Sequence, residues 1–527
     1  MPLATAPRID ATFVPGRSAS SVSPRASRLR WLLIPGVALC VAMAGCVSQP
    51  SAPQASTWVD PIGLFPMAAY DQDVDHWINP SASDYDQPFL SADDQRAQFE
   101  ALYARYFGSG KDAPSPWNAA YIDTRVYRQN GSDIVALQHR RLAWFDNTGK
   151  AGRYVGYGEN FRPHTAVWIA AIARNMDVDQ FARAPAYDPA RRAIATGNLL
   201  ARELPTLDPS YYDHRLAGEG YPFDNLQISS VRPGTPLYVL GSSLDGAWRY
   251  VQTPDVQGWV RSEEVGTVND TFVEHWREAA RKTLGAVTVA SAAVRDSHGT
   301  FRFDAPAGSL LPILPATDPA TYDILVPARD ADGKAIIRHA QLSDTQIAPM
   351  PLAATPRHLA LLLKTLIGRP YGWGNTDFYN DCSSELQSIF AVFGVWLPRH
   401  SSTQMSAGRM TDLSSATPAE RLDYLVHHGQ PMRTLIYIGG HVMLYLGNTT
   451  RDNQVVPVVY QDIWGLRPAD DSRRAVIGGS VILPLLEHIP EDPTLESLAA
   501  TPIFQISILG APPAGSTTEP DEDNPAS

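Results

Sequence analysis

The chain has 527 residues, a formal net charge of −12, and 44% hydrophobic against 19% charged residues. That length makes several domains, the composition is globular, and the acidic balance argues against nucleic acid or another polyanion as the main partner. Only Cys40, Cys46 and Cys382 carry thiols and the first two sit in a leader, so the body has no internal disulfide and depends on its cores.

Residues 1–45 read as a secretory signal. Arg8, Arg17, Arg25, Arg28 and Arg30 stand against one acid, Asp10, and Trp31 to Ala44 then runs apolar for about 14 residues, too short to span a bilayer as a helix. Ala44-Gly45-Cys46 resembles a bacterial lipobox, which implies acylation of Cys46 and a lipid anchor in the membrane. Val47-Ser48 in place of an aspartate implies sorting to the outer membrane, facing the periplasm. Residues 46–56, rich in Ser, Pro, Gln and Ala, have the makeup of a tether.

Residues 57–210 are expected to form an N-terminal helical or mixed domain. Ser91 to Phe107 opens with a Ser N-cap and acids, then places Phe99, Leu102, Tyr103, Tyr106 and Phe107 on one helical face. Thr165 to Asn175 is a second apolar run, and His76, His139 and His164 are isolated. From 221 to 268 the grain turns to short β-rich runs, Pro236–Leu240, Trp248–Gln252 and Gly258–Arg261, separated by turn signals. Gly234-Thr235-Pro236, the Asp245-Gly246-Ala247-Trp248 turn and Gly258-Trp259-Val260 resemble a bacterial SH3 domain of the first type. Residues 283–348, with Leu284–Val289, Tyr322–Val326 and Ala335–Arg338, read as a second, diverged SH3-like barrel or as an extension of the first.

After a proline-punctuated linker, Arg357 to Ile367 predicts a helix ending at Gly368. Asp381 then stands as an N-cap before Cys382, and Leu386, Ile389, Phe390 and Phe393 follow at helical spacing. Cys382 is thus expected in the first turn of a buried helix, where the helix N-terminus lowers a thiol pKa. The alternative is an inert, small buried hydrophobe.

A thiol nucleophile needs a base, and the base needs a third group to fix its ring. His400 is close in sequence, beside Pro398, and His427-His428 point apart on any regular element. His441 lies in Gly439 to Gly447, read as a strand whose glycines admit the cysteine helix. With Asn448 to Gln454 as the loop, Gly447 pairs with Val455 and His441 stands opposite Gln461, close enough to bond the imidazole. Gln461 as a solvated strand residue remains open on the residues alone.

Pro370-Tyr371-Gly372-Trp373-Gly374, Asp381-Cys382-Ser383, Leu397-Pro398-Arg399-His400-Ser401, Gly440-His441-Val442 and Ile463-Trp464-Gly465 resemble the NlpC/P60 family of cell-wall cysteine peptidases, over about 357–483. The resemblance implies a multi-domain α+β protein with two small SH3-like β-barrels and a C-terminal papain-like α+β domain. It implies Cys382 as nucleophile, His441 as base and Gln461 as third residue, where many members have histidine. The implied reaction is hydrolysis of the γ-D-glutamyl to meso-diaminopimelate bond of peptidoglycan stem peptides, with Asp381, Ser401 and Tyr371 at substrate-binding positions. A wall-binding scaffold with an inert site and an acyl- or amidotransferase on the same fold are the alternatives. No cofactor is implied, and the sequence has no His-Glu-x-x-His, Cys-x-x-Cys or phosphate-loop motif. Residues 484–527 are expected to be a C-terminal extension ending in a disordered acidic tail.

Overall fold

Val442, Leu444 and Leu446 face one side of their strand and Met443 and Tyr445 the other, and all five are buried, so this strand lies inside a sheet covered on both faces. The computed structural model describes residues 62–510, apart from 184, 217, 316 and 317. The signal of 1–45, Cys46, the tether of 46–56 and the tail from residue 511 lie outside the described residues.

The strand belongs to a seven-stranded sheet in the order Ile62–Leu64, Arg474–Pro484, Gln454–Leu466, Val442–Arg451, Thr434–Tyr437, Gln505–Ile508, Arg409–Asp412. On one face pack the helices Pro356–Leu366 and Cys382–Val392. On the other lies Pro418–His428, whose Leu425 joins Ile436, Met443 and Ile506. The cysteine-bearing unit therefore does not stop at 483: Gln505–Ile508 pairs between two of its strands. Ile62–Leu64 adds to the far edge, parallel to Arg474–Pro484, and satisfies backbone groups that an edge would expose.

The expected N-terminal domain of 57–210 has no core of its own. Leu102, Tyr106, Phe107 and Trp117 join a core shared with Leu363, Ile389 and Phe393 of the cysteine-bearing unit. Ile122, Ile134, Ile169 and Phe181 instead pack on Tyr238, Tyr250 and Trp259 of the first barrel. The helix anticipated there is present as Ala92–Phe107, capped by Ser91, and the apolar run from Thr165 forms a second, Ala166–Met176, capped by Thr165.

The first barrel starts earlier than residue 221. Arg192–Ala195 and Leu199–Arg202 are strands of its seven-stranded sheet, together with Gln227–Val231, Pro236–Ser242, Trp248–Gln252, Gln257–Arg261 and Val265–Thr267. Both strands are short, and Ala193, Ala195, Leu199 and Ala201 fill the barrel interior rather than a helical face. A helix unforeseen in sequence, Asp270–Lys282, separates the barrels: Asn269 accepts the Phe272 N–H, and Phe272, Val273, Trp276, Ala279 and Ala280 are buried. The second barrel is a sheet of its own, five-stranded, with a Ser291–Arg295/Phe301–Pro306 ribbon beside it, so it does not extend the first.

Candidate active site

Asp381 ends the approach to the Cys382–Val392 helix in extended backbone and caps it, accepting the Ser384 N–H at 3.0 Å while Ser384 Oγ accepts the Asp381 N–H at 2.9 Å. Cys382 is thereby fixed at the first helical position, with 5% of its surface exposed. Burial pushes its thiol up to about 12; the Asp381 charge adds to this, and the Val442 N–H and the Arg399 charge oppose it. The helix-start lowering expected from sequence is outweighed because the thiol is desolvated beside a carboxylate.

His441 sits just before the Val442–Arg451 strand, in a tight turn closed by Ile438 N–H to His441 C=O at 3.0 Å. Gly439 and Gly440 have φ of +78° and +91°, and a side chain on Gly440 would meet open space. These glycines serve the left-handed turn and do not admit the cysteine helix. His441 Nε2 lies 2.7 Å from Gln461 Oε1. An amide oxygen only accepts, so Nε2 carries the proton and Nδ1 is left as the basic lone pair. Burial lowers the imidazole pKa to about 4, against the Gln461 hydrogen bond and the Asp381 charge. Burial thus disfavours the charged form of both groups.

The hydrogen bond expected between the two residues is present, but the strand register expected to supply it is not. Gly447 pairs with Val458 rather than Val455, because the strand continues to Arg451 and turns through Asp452 and Asn453, both left-handed. Two residues with positive φ make the tight turn that suits strand twist. Gln461 reaches His441 past the end of the paired segment, which runs from Leu444↔Tyr460 outward. Its Nε2 is buried without a hydrogen-bond partner. Asp462, next along the strand, is also buried, and burial and the Glu385 charge raise its pKa well above the carboxylate range.

A cavity of about 430 Å³ is lined by Cys382, His441, Asp381, Tyr371 and Ser401 among others. His400 lines it too, its pKa lowered to about 4 by burial and by Arg399. Unlike His441, its ring has no orienting amide. Asp381 is spent internally: Arg399 donates at 2.6 Å and 3.2 Å, the Gly374 N–H at 3.1 Å and Ser383 Oγ at 3.1 Å. Burial would raise its pKa, but Arg399 and the capping bonds hold it low. Asp381 is thus helix cap and counter-ion to Arg399 and at the same time part of the cavity lining.

Residues 368–464 match the NlpC/P60 family, residues 209–261 the SH3 domain of SH3b1 type, and residues 269–318 the SH3 domain of SH3b2 type. The chain carries an NlpC/P60 peptidase domain. It is a cysteine peptidase of this family of peptidoglycan endopeptidases, with two bacterial SH3 domains. A solved structure described as a novel NlpC/P60 endopeptidase from Photobacterium damselae subsp. piscicida is 26% identical, with 84% of this chain and 98% of that chain covered and a TM-score of 0.71. An NlpC/P60 family protein from Bacillus cereus is 15% identical over 58% of this chain and 98% of its own, with a TM-score of 0.39. Comparison with curated proteins returns no match.

The SH3b1 domain builds part of the NlpC/P60 site. Ser229 accepts from Arg399 Nε at 2.8 Å, and Gln227 donates to the Gly374 C=O at 2.9 Å. Gly374, at φ +58°, lies so near the Gln227 carbonyl that a Cβ would fall 2.5 Å from it. Phe223 packs edge-on to Trp373 at 5.3 Å and to Trp464 at 5.4 Å, forming an aromatic wall with Tyr371. No sequence pattern marks Phe223 or Ser229, and Arg399 and Trp464 stand out only as members of the family motifs. The one available signal was Arg399 itself, a cation in an otherwise apolar Val395 to Pro398 stretch that needed a buried partner.

Proposed function

We propose that this protein hydrolyses the γ-D-glutamyl to meso-diaminopimelate bond of peptidoglycan stem peptides through Cys382, His441 and Gln461. The observation that carries the reading is the 2.7 Å contact of His441 Nε2 with Gln461 Oε1 in the cavity that holds Cys382. Nδ1 takes the thiol proton as sulfur attacks the γ-carbonyl carbon, and the oxyanion is held by N–H groups at the helix start, including that of Cys382. The imidazolium then protonates the diaminopimelate amine as the C–N bond breaks, leaving a thioester. Water attacks the thioester carbon, gives a proton to Nδ1, and the thiol returns. Gln461 orients the ring without sharing its charge.

Purified sacculi and muropeptides incubated with the enzyme are expected to release γ-D-glutamyl ends and free diaminopimelate amines, identified by mass spectrometry. Cys382→Ala and His441→Ala are expected to abolish turnover and leave the thermal midpoint within a few degrees, because each deletes a member of a unit that acts together. Near wild-type cleavage by Cys382→Ala would overturn the mechanism. Gln461→Ala is expected to lose less than His441→Ala.

The proposal extends to location: Cys46 is acylated and anchors the body to the outer membrane, with 46–56 as tether. One acyl chain binds weakly, at about 0.8 kcal/mol per buried CH₂, so the anchor takes more than one. N-terminal sequencing that begins anywhere but Cys46 would refute it.

A further inference from the structure

Four carboxylates line the cavity, and three of them already have partners. Glu203 is ion-paired to Arg141, Glu219 to Arg153 and Asp381 to Arg399. The fourth, Glu496, has no ion pair and no side-chain hydrogen bond among the described residues. Arg467, its neighbour in the lining, turns its guanidinium to Asp471 at 2.5 Å instead. The charges that act on Arg474, also in the lining, are those of Arg467, Asp471 and Glu219. An unmatched carboxylate in the wall of a substrate cavity favours a cation.

Glu496 is held at a fixed place. Its N–H donates to the Arg467 C=O at 2.8 Å, and Leu495 and Ser497 on either side of it are buried. Ser497 accepts the Ala499 N–H at 3.0 Å and so caps the turn Leu498–Ala500. This segment lies beyond residues 368–464, so the family motifs assign it no role.

The course of the segment selects the part of the substrate that meets Glu496. From Arg467 it runs through Leu498 and Thr501, both in the lining, to Ile503, whose Cδ1 would stand 3.5 Å from a Cβ on Gly439. Leu498 packs both on the core that holds Leu466 and on the core that holds Ile438. The wall therefore runs beside the turn that carries His441, and in the proposed reaction His441 protonates the leaving amine. The group that departs past this wall is diaminopimelate. It has two amines: one leaves the scissile bond, and the other is an ammonium wherever the stem is not cross-linked through it.

We infer that Glu496 is a specificity residue that takes the side-chain ammonium of the leaving diaminopimelate, so that stems with this amine free are preferred to stems cross-linked through it. This rests on the γ-D-glutamyl to diaminopimelate reading of the site and deepens it. An ammonium on a carboxylate is a charge-assisted contact, and acylation of the amine removes both the charge and two of its donors.

The test uses L-Ala-γ-D-Glu-diaminopimelate in three forms: unmodified, acetylated on the side-chain amine of diaminopimelate, and acetylated on L-Ala. Wild type is expected to lose about three- to tenfold in kcat/KM, through KM, on the second form relative to the first. Glu496→Gln, which keeps the shape and removes the charge, is expected to show that loss on the first and third forms and no further loss on the second. A loss of equal size on the first and second forms would overturn the inference, and so would a loss that disappears when L-Ala is acetylated. Binding is read separately, by calorimetric titration of the same peptides into Cys382→Ser with and without Glu496→Gln. Weaker binding of the second form, with the difference abolished by Glu496→Gln, supports the inference even if wild type cleaves none of the peptides, an outcome that would refute the proposed bond alone. Equal binding of the first and second forms to Cys382→Ser would refute the ammonium contact.

Discussion

The two SH3 domains share a type of fold and do different work. The SH3b1 domain holds Arg399 through Ser229, meets Gly374 through Gln227, and sends Phe223 into the cavity wall. The SH3b2 domain lines none of that cavity among the described residues. It packs behind the Cys382–Val392 helix instead, where Gly308, at φ +74°, comes so close that a Cβ would lie 2.7 Å from the Ser388 carbonyl. Its Leu311, Ile324 and Leu325 join the core that also contains Ile389 and Phe393. Membership of a fold family does not say which domain completes a site; the residues at the domain boundary do.

The sharpest break of this contrast is Arg399→Ala. Arg399 and Asp381 are both buried, and removing the cation strands the carboxylate that caps the Cys382 helix. A loss of about 3–5 kcal/mol is expected in denaturant unfolding, with kcat falling in the molecules that stay folded. Retention of wild-type kcat would mean that the cap holds Cys382 without the SH3b1 domain. In the SH3b2 domain, Leu325→Ala at a fully buried position is expected to cost about 2–5 kcal/mol, with kcat/KM per folded molecule unchanged. A kinetic defect there would give the second domain a part in the site.

A smaller effect is expected from Phe223→Leu, which keeps volume but loses the edge-on contacts to Trp373 and Trp464. Aromatic pairs contribute about 0.5–1.5 kcal/mol each, so KM should rise several-fold while the thermal midpoint shifts little. The last effect concerns pH. His441 and His400 ordinarily titrate near 6.5 and are held at about 4 by burial, so the unfolded chain takes up protons that the folded chain refuses. Their stability contribution is complete above pH 6.5 and declines as pH falls towards 4. His400→Gln should flatten that part of the profile of thermal midpoint against pH. An unchanged profile would show the ring to be solvated.

Local features were legible without the fold. Asp381 before Cys382 and Ser91 before the Ala92–Phe107 helix are caps followed by apolar periodicity, and the structure has both helices. Pro236–Ser242, Trp248–Gln252 and Gln257–Arg261 fall where turn signals bracketed them. Domain limits failed where a segment's apolar face is covered by a distant one: Gln505–Ile508 returns to the sheet from beyond a proline-rich stretch that read as an extension. The hairpin register failed because Asp452 and Asn453 read as part of a longer polar loop.

Sequence alone determined what depends on neighbours in the chain: a thiol at a helix start, a histidine entering a strand, a polar residue on the next strand, and β-rich runs cut by turns. These follow from backbone periodicity and from side chains that satisfy donors three residues away. Tertiary structure decided what depends on residues brought together from afar. Ser229 against Arg399 spans 170 positions, and Phe223 meets Trp464 across the boundary of two domains. It also reversed an electrostatic expectation, since the helix N-terminus that lowers a thiol pKa is a local feature, whereas the burial that raises Cys382 to about 12 belongs to the assembled fold.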